Sequence, residues 1–125
     1  MRFLVVLILV MATTAAWAEL PSANDAAIRA ALASGKPTVA DFGARTCIPC
    51  RKMAPILSEL RTHLKGKSNI LFTDVWEAPA LAQHYRVQLI PTQIFFDARG
   101  MEVKRHMGFM DKSAILKELQ ALGMK

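Results

Sequence analysis

Asp41-Phe42-Gly43-Ala44-Arg45-Thr46-Cys47-Ile48-Pro49-Cys50-Arg51-Lys52-Met53 is the stretch that decides how this chain is read, because it holds both cysteines of the 125-residue sequence. An apolar, strand-like run from Thr38 to Phe42 leads into it, and a helical pattern from Arg51 to Leu64 leads out. Two residues between the cysteines bring the sulfurs together across the first turn of a helix. A disulfide there can form and break with little backbone motion. Cys47 then sits where unpaired backbone N–H groups and the helix dipole favour negative charge. That lowers its pKa and stabilises the thiolate, the reactive form of a cysteine.

Two duller readings compete. A structural zinc site needs four ligands, and the sequence offers no other cysteine, with His63, His84 and His106 scattered along it. A purely structural disulfide would close so short a loop that it constrains the unfolded chain little. A redox pair is the better account.

Composition bounds the rest. The chain is long enough for one small domain with a core of its own. Its N-terminus has the three parts of a secretory signal peptide: basic Met1-Arg2, the apolar run Phe3 to Val10, and the small-x-small site Ala16-Trp17-Ala18. The expectation is a signal peptide over 1–18, cut after Ala18, and export to an oxidising compartment, the periplasm. The competing reading is an uncleaved anchor. The uncharged stretch Phe3 to Ala18 has 16 residues, slightly short of the roughly 20 a span needs. The mature chain, 19–125, carries 15 Lys+Arg against 10 Asp+Glu, a net of +5 spread along its length. With no basic tract interleaved with aromatics, it is not read as binding nucleic acid.

The elements follow in order. Asn24 or Ser22 caps a helix from Asp25 to Ser34, ended by Gly35 and Pro37. Thr38 to Phe42 is apolar on both faces, as a central strand should be, apart from Asp41. A carboxylate buried there is expensive unless it has a task or a partner. The next helix puts Met53, Ile56, Leu57, Leu60 and Leu64 on one face and should kink at Pro55. Ile70 to Trp76 reads as a strand, Glu77 to Tyr85 as a short helix, Thr92 to Phe96 and Met101 to Met107 as strands joined by a turn at Asp97 to Gly100. Asp111 or Ser113 opens a last helix with Ile115, Leu116, Leu119 and Leu122 inward. The pattern predicts an α/β domain, a mixed sheet of about four strands with helices on both faces.

Asp41-Phe42, Cys47-Ile48-Pro49-Cys50-Arg51-Lys52-Met53, Pro55, Ile90-Pro91-Thr92, Phe95-Phe96, Gly100 and Gly108 stand in the order and spacing of the thioredoxin family, which the chain resembles from about Ala23 to Gly123. The tail Leu89-Ile90-Pro91-Thr92, Phe95-Phe96-Asp97 and Gly108-Phe109-Met110-Asp111 is similar to the C-terminal periplasmic domain of the bacterial transmembrane thiol-disulfide reductase and to small exported reductants. The resemblance implies a thioredoxin-like domain over 19–125 that acts on protein disulfides. It implies Cys47 as the attacking thiolate, Cys50 as the buried resolving thiol, and Asp41 as the carboxylate that relays a proton to or from Cys50. It implies a cis Pro91, with Ile90 offering its backbone to substrate. Ile48 and Pro49 would complete the contact surface, Pro49 also holding the motif rigid and reducing.

Departures from the family are clear. Gly43 and Thr46 stand where cytoplasmic members carry tryptophan, Phe72 stands where a lysine neighbours the buried Asp, and the N-terminal strand is at most a vestige. No flavin, nicotinamide or metal motif appears, so the expected redox centre is the Cys47–Cys50 pair alone, without a cofactor. The motif lacks the histidine that marks oxidants and isomerases. The reading is a monomeric, exported reductant recharged by a membrane thiol-disulfide reductase and serving cell redox homeostasis. The alternatives are an oxidant or isomerase of the same fold, or a copper-binding module using the thiols with Met101, Met107 or Met110, since soft ligands suit Cu(I).

Overall fold

The computed structural model describes residues 19–125; the expected signal peptide lies outside them. Eight elements run in the order α1 (Asp25–Leu32), β1 (Thr38–Gly43), α2 (Ile48–His63), β2 (Asn69–Asp74), α3 (Pro79–His84), β3 (Thr92–Phe96), β4 (Glu102–Met107) and α4 (Lys112–Ala121). They form a four-stranded sheet in the order β2-β1-β3-β4. β1 pairs parallel with β2 and antiparallel with β3, and β3 pairs antiparallel with β4. The sequence pattern therefore anticipated both the order and the mixed sheet.

β1 is central, and all six of its residues are buried. One face of the sheet, with Val39, Ile70, Phe72 and Phe95, packs on Met53, Leu57 and Leu60 of α2 and Ile115 and Leu119 of α4. The opposite face, with Ala40, Phe42, Ile94 and Phe96, packs on Ile28 of α1 and on Leu81 and Tyr85 at α3. Tyr85 lays its ring 5.4 Å from Phe42 and 6.1 Å from Phe96, centroid to centroid. Alternation along the strands thus sends successive residues into two separate cores.

The largest departure from the expected boundaries is at α2. It begins at Ile48, not Arg51, because Cys47 is itself the N-cap and Pro49 sits in the first turn, where no backbone donor is needed. The helix continues through Pro55 to His63. α3 is shorter than expected, starting at Pro79. α1 is capped by Asn24, whose Oδ1 accepts from the Ala27 N–H at 2.8 Å, and α4 by Asp111, which accepts from the Ala114 N–H at 2.8 Å. The vestige of an N-terminal strand is a single parallel bridge between Ser22 and Phe72, with the Ala23 N–H donating to the Phe72 carbonyl at 2.7 Å.

Gly100 closes the β3–β4 turn with φ +79°, and a Cβ there would lie 2.7 Å from the Leu32 carbonyl oxygen. Backbone strain and backbone collision coincide at this position. Gly100→Ala should therefore cost about 2 kcal/mol, read as a lowered midpoint of chemical unfolding with an unchanged slope.

Candidate functional site

Four chain segments meet at one end of the sheet. The C-terminal ends of β1, β2 and β4 and the N-terminal end of β3 point the same way, as the pairing directions require. The segments that leave there carry Cys47 and Ile48, Trp76, Leu89 to Pro91, and Phe109. Each exposes an apolar side chain: Ile48 is 71% exposed, Trp76 75%, Leu89 53% and Phe109 45%. Large apolar side chains gathered so openly on one rim mark a contact surface.

Cys47 and Cys50 are joined as a disulfide. Cys47 is half-buried and Cys50 is 4% exposed, so one sulfur faces the rim and the other the core. The Cys50 backbone N–H points at the Cys47 sulfur, 3.4 Å away. A free N–H at a helix start favours negative charge on that sulfur. Ile48 and Pro49 are exposed between the cysteines.

Behind the pair lies Gly43, where a Cβ would stand 3.2 Å from the Cys50 Cβ and 3.3 Å from its sulfur. Asp41 follows on the same face of β1, one pleat repeat further in, roughly 7 Å along the strand. It is fully buried. Its Oδ1 accepts from the Gln93 side-chain N–H at 2.9 Å, and its Oδ2 has no hydrogen-bond partner among the described residues. Burial pushes its pKa up to about 7, against the smaller lowering effect of the Gln93 hydrogen bond. Phe72, its neighbour across β2, supplies no charge.

Pro91 is buried, Ile90 is half-buried, and the peptide bond between them is cis. The pairing of Phe42 with Thr92 sets this segment beside the end of β1. The Gly108 N–H donates to the Pro91 carbonyl at 2.7 Å. Among the described residues, neither the N–H nor the C=O of Ile90 has a hydrogen-bond partner.

The loop before Cys47 is held from two sides. The Arg45 N–H donates to the Asp74 carboxylate at 3.2 Å. The Arg45 guanidinium donates to Glu19 at 3.0 Å and to the Leu20 carbonyl at 3.1 Å, and lies 5.0 Å from the centroid of the Phe72 ring. Sequence reasoning had singled out neither Arg45 nor Gln93. Gln93 could have been found by the argument that found Asp41, since it is a polar residue inside an apolar strand.

The three methionines do not gather into one group. Met110 is buried in the core against Met53, while Met101 and Met107 are exposed at opposite ends of β4, roughly 20 Å apart by strand rise. Among the described residues no three His, Cys, Asp or Glu side chains form a metal-binding group.

The comparisons with known proteins agree with this geometry. A family model described as thioredoxin matches residues 19–121. A thioredoxin-like protein of Synechocystis is 36% identical over 87 residues, covering 70% of this chain and 82% of that protein. A bifunctional thioredoxin reductase/thioredoxin of Mycobacterium leprae is 38% identical over 88 residues, 70% of this chain; the matched part spans only 19% of that longer protein. A mutant thioredoxin from Halobacterium salinarum superposes with a TM-score of 0.73 at 25% identity, covering 83% of this chain and 88% of that one.

The buried carboxyl makes stability depend on pH. An unfolded Asp41 ionises near 3.8, while the folded one keeps its proton to about 7. The folded state therefore holds one proton that the unfolded state releases between those values. Stability should fall as pH rises across that window, by about 4 kcal/mol in total, and level off above it. Asp41→Asn should abolish this slope, leaving stability near that of the parent at pH 3 and well above it at pH 8. Urea unfolding at both pH values checks this.

Proposed function

Since the chain belongs to the thioredoxin family and is a thiol-disulfide oxidoreductase, we propose that it is an exported reductant of protein disulfides. The observation that carries this reading is the pairing of a rim-facing sulfur with a buried one, above a buried carboxyl with one unpartnered oxygen. In the reduced enzyme, the Cys47 thiolate attacks a substrate disulfide, forming a mixed disulfide and expelling one substrate thiolate. Cys50 then gives its proton to the Asp41 carboxylate. The Cys50 thiolate attacks the Cys47 sulfur, the mixed disulfide breaks, and the second substrate thiolate leaves. The substrate is thereby reduced by two electrons and the enzyme oxidised by two. A carboxyl that titrates near 7 suits the proton transfer, because it can both take and return a proton at neutral pH.

The free backbone groups of Ile90 are proposed to pair with the substrate chain as a short antiparallel strand. Ile48, Pro49, Trp76, Leu89 and Phe109 would cover the apolar residues that flank the substrate disulfide. The redox centre is the cysteine pair alone, with no cofactor. The enzyme would work as a monomer in the periplasm and be recharged by a membrane thiol-disulfide reductase. Support for export comes from the N-terminal sequence pattern of Met1 to Ala18. Support for the reducing direction comes from a motif without histidine.

Cys50→Ser should trap mixed disulfides on Cys47 in the exported fraction, seen as high-mass bands that collapse on reduction. Cys47→Ser should trap none and lose more than about 99% of disulfide-reductase activity. A Cys50→Ser protein that captures no substrate while the parent binds Cu(I) would favour the copper-carrier reading.

A further inference from the structure

The hydrogen bonds of Asp41 do not stop at Gln93. Asp41, Gln93 and His106 are direct cross-strand partners on β1, β3 and β4 and share one face of the sheet. The Gln93 side-chain N–H donates to Asp41 at 2.9 Å, and the Gln93 carbonyl oxygen lies 2.9 Å from Nδ1 of His106. His106 is half-buried on a strand that is otherwise largely exposed, so the row runs from the core to the solvent edge.

A primary amide has one donating end and one accepting end, and this couples the two ends of the row. With its N–H toward Asp41, Gln93 turns its oxygen to His106, whose Nδ1 must then carry a proton. The reversed amide would face Asp41 with an acceptor, which fits only a protonated Asp41. It would also require His106 to present a bare Nδ1. The orientation seen here is the one that accepts an ionised Asp41.

We propose that His106 is a positioning residue for the redox reaction: its Nδ1–H locks the Gln93 amide with its N–H toward Asp41, and so favours the carboxylate that accepts the Cys50 proton. The proposal rests on the role given to Asp41 above. His106 touches neither sulfur nor substrate; it acts through Gln93. Of the other charged and titratable groups on the elements over this face, Arg51, Lys52 and Arg61 of α2 and Lys117 of α4 are exposed, and the rest named here have partners of their own. Glu59 of α2 is paired with Lys112 of α4, and Lys104 of β4 with Glu118 of α4. Asp74 at the end of β2 accepts from the N–H groups of Arg45, Trp76 and Glu77, and Asp111 caps α4. Cys47 and Cys50 at the start of α2 do not titrate while joined. None of these bonds to Asp41, Gln93 or His106.

The test is the titration of the Asp41 carboxyl carbon by NMR in the oxidised protein, as a double-mutant cycle. Gln93→Leu removes the donor and should raise the Asp41 pKa by about one unit. His106→Leu should raise it less, in the same direction, and should add nothing in the Gln93→Leu background. No shift on His106→Leu overturns the proposal. An equal shift in both backgrounds also overturns it, because the imidazole would then act by its charge and not through the amide. Nitrogen-15 shifts of the unaltered protein give a check that needs no variant. Neutral His106 should carry its proton on Nδ1, and a proton on Nε2 would overturn the proposal. Because the oxidised protein has no free Cys50 thiol, these results stand apart from the role of Asp41 in turnover. If Asp41→Asn left that turnover unchanged, the functional reading would fail while the hydrogen-bond row stood.

Discussion

A carboxyl group in the middle of a fully buried strand is the constraint on which the rest of this structure turns. β1 is covered on both faces, and its other residues are those such a strand calls for. Asp41 is held there with one hydrogen bond where a carboxylate could accept several. The protein does not neutralise it with a lysine; Phe72 occupies the neighbouring place on β2. Desolvation therefore dominates, and the group keeps its proton until about neutral pH. A salt bridge at the same place would have stabilised the anion and lowered this pKa.

The sheet topology converts this buried group into part of a site. Reversal of direction between β1 and β3 sets the Ile90–Pro91 segment beside the loop that carries Cys47. The absence of a side chain at Gly43 lets the first turn of α2 bring Cys50 down against β1. The helix start then separates the two sulfurs by environment. Cys47 receives a backbone N–H and faces the rim, while Cys50 faces the core. Identical side chains are given different surroundings by position alone. Arg45 fixes the approach to the motif by joining Asp74, Glu19, the Leu20 carbonyl and the Phe72 ring, residues far apart in sequence.

Much of this was legible in the sequence, for physical reasons that differ by element. β1 and β3 announce themselves because both faces are apolar and turn residues bound them. Asp41 stood out because it violates that pattern. The start of α2 was placed three residues late, since a cysteine cap followed by Ile48-Pro49 has none of the usual capping chemistry. The rim could not be read, because Trp76, Leu89 and Phe109 come together only when strand directions are known. The Gln93–His106 contact needed the register of β3 on β4, which includes an irregularity between Phe95 and Phe96. Gln93 itself was as anomalous in its strand as Asp41 and carried the same signal.

The central claim is that this dithiol donates electrons to protein disulfides. The most direct test is the equilibrium reduction potential of Cys47–Cys50 in a protein of residues 19–125 at pH 7, from thiol labelling against a dithiothreitol or glutathione buffer. The account predicts a value near that of thioredoxin, about −270 mV. A value near that of the strong bacterial periplasmic oxidant, about −120 mV, would contradict it and make the protein a disulfide donor.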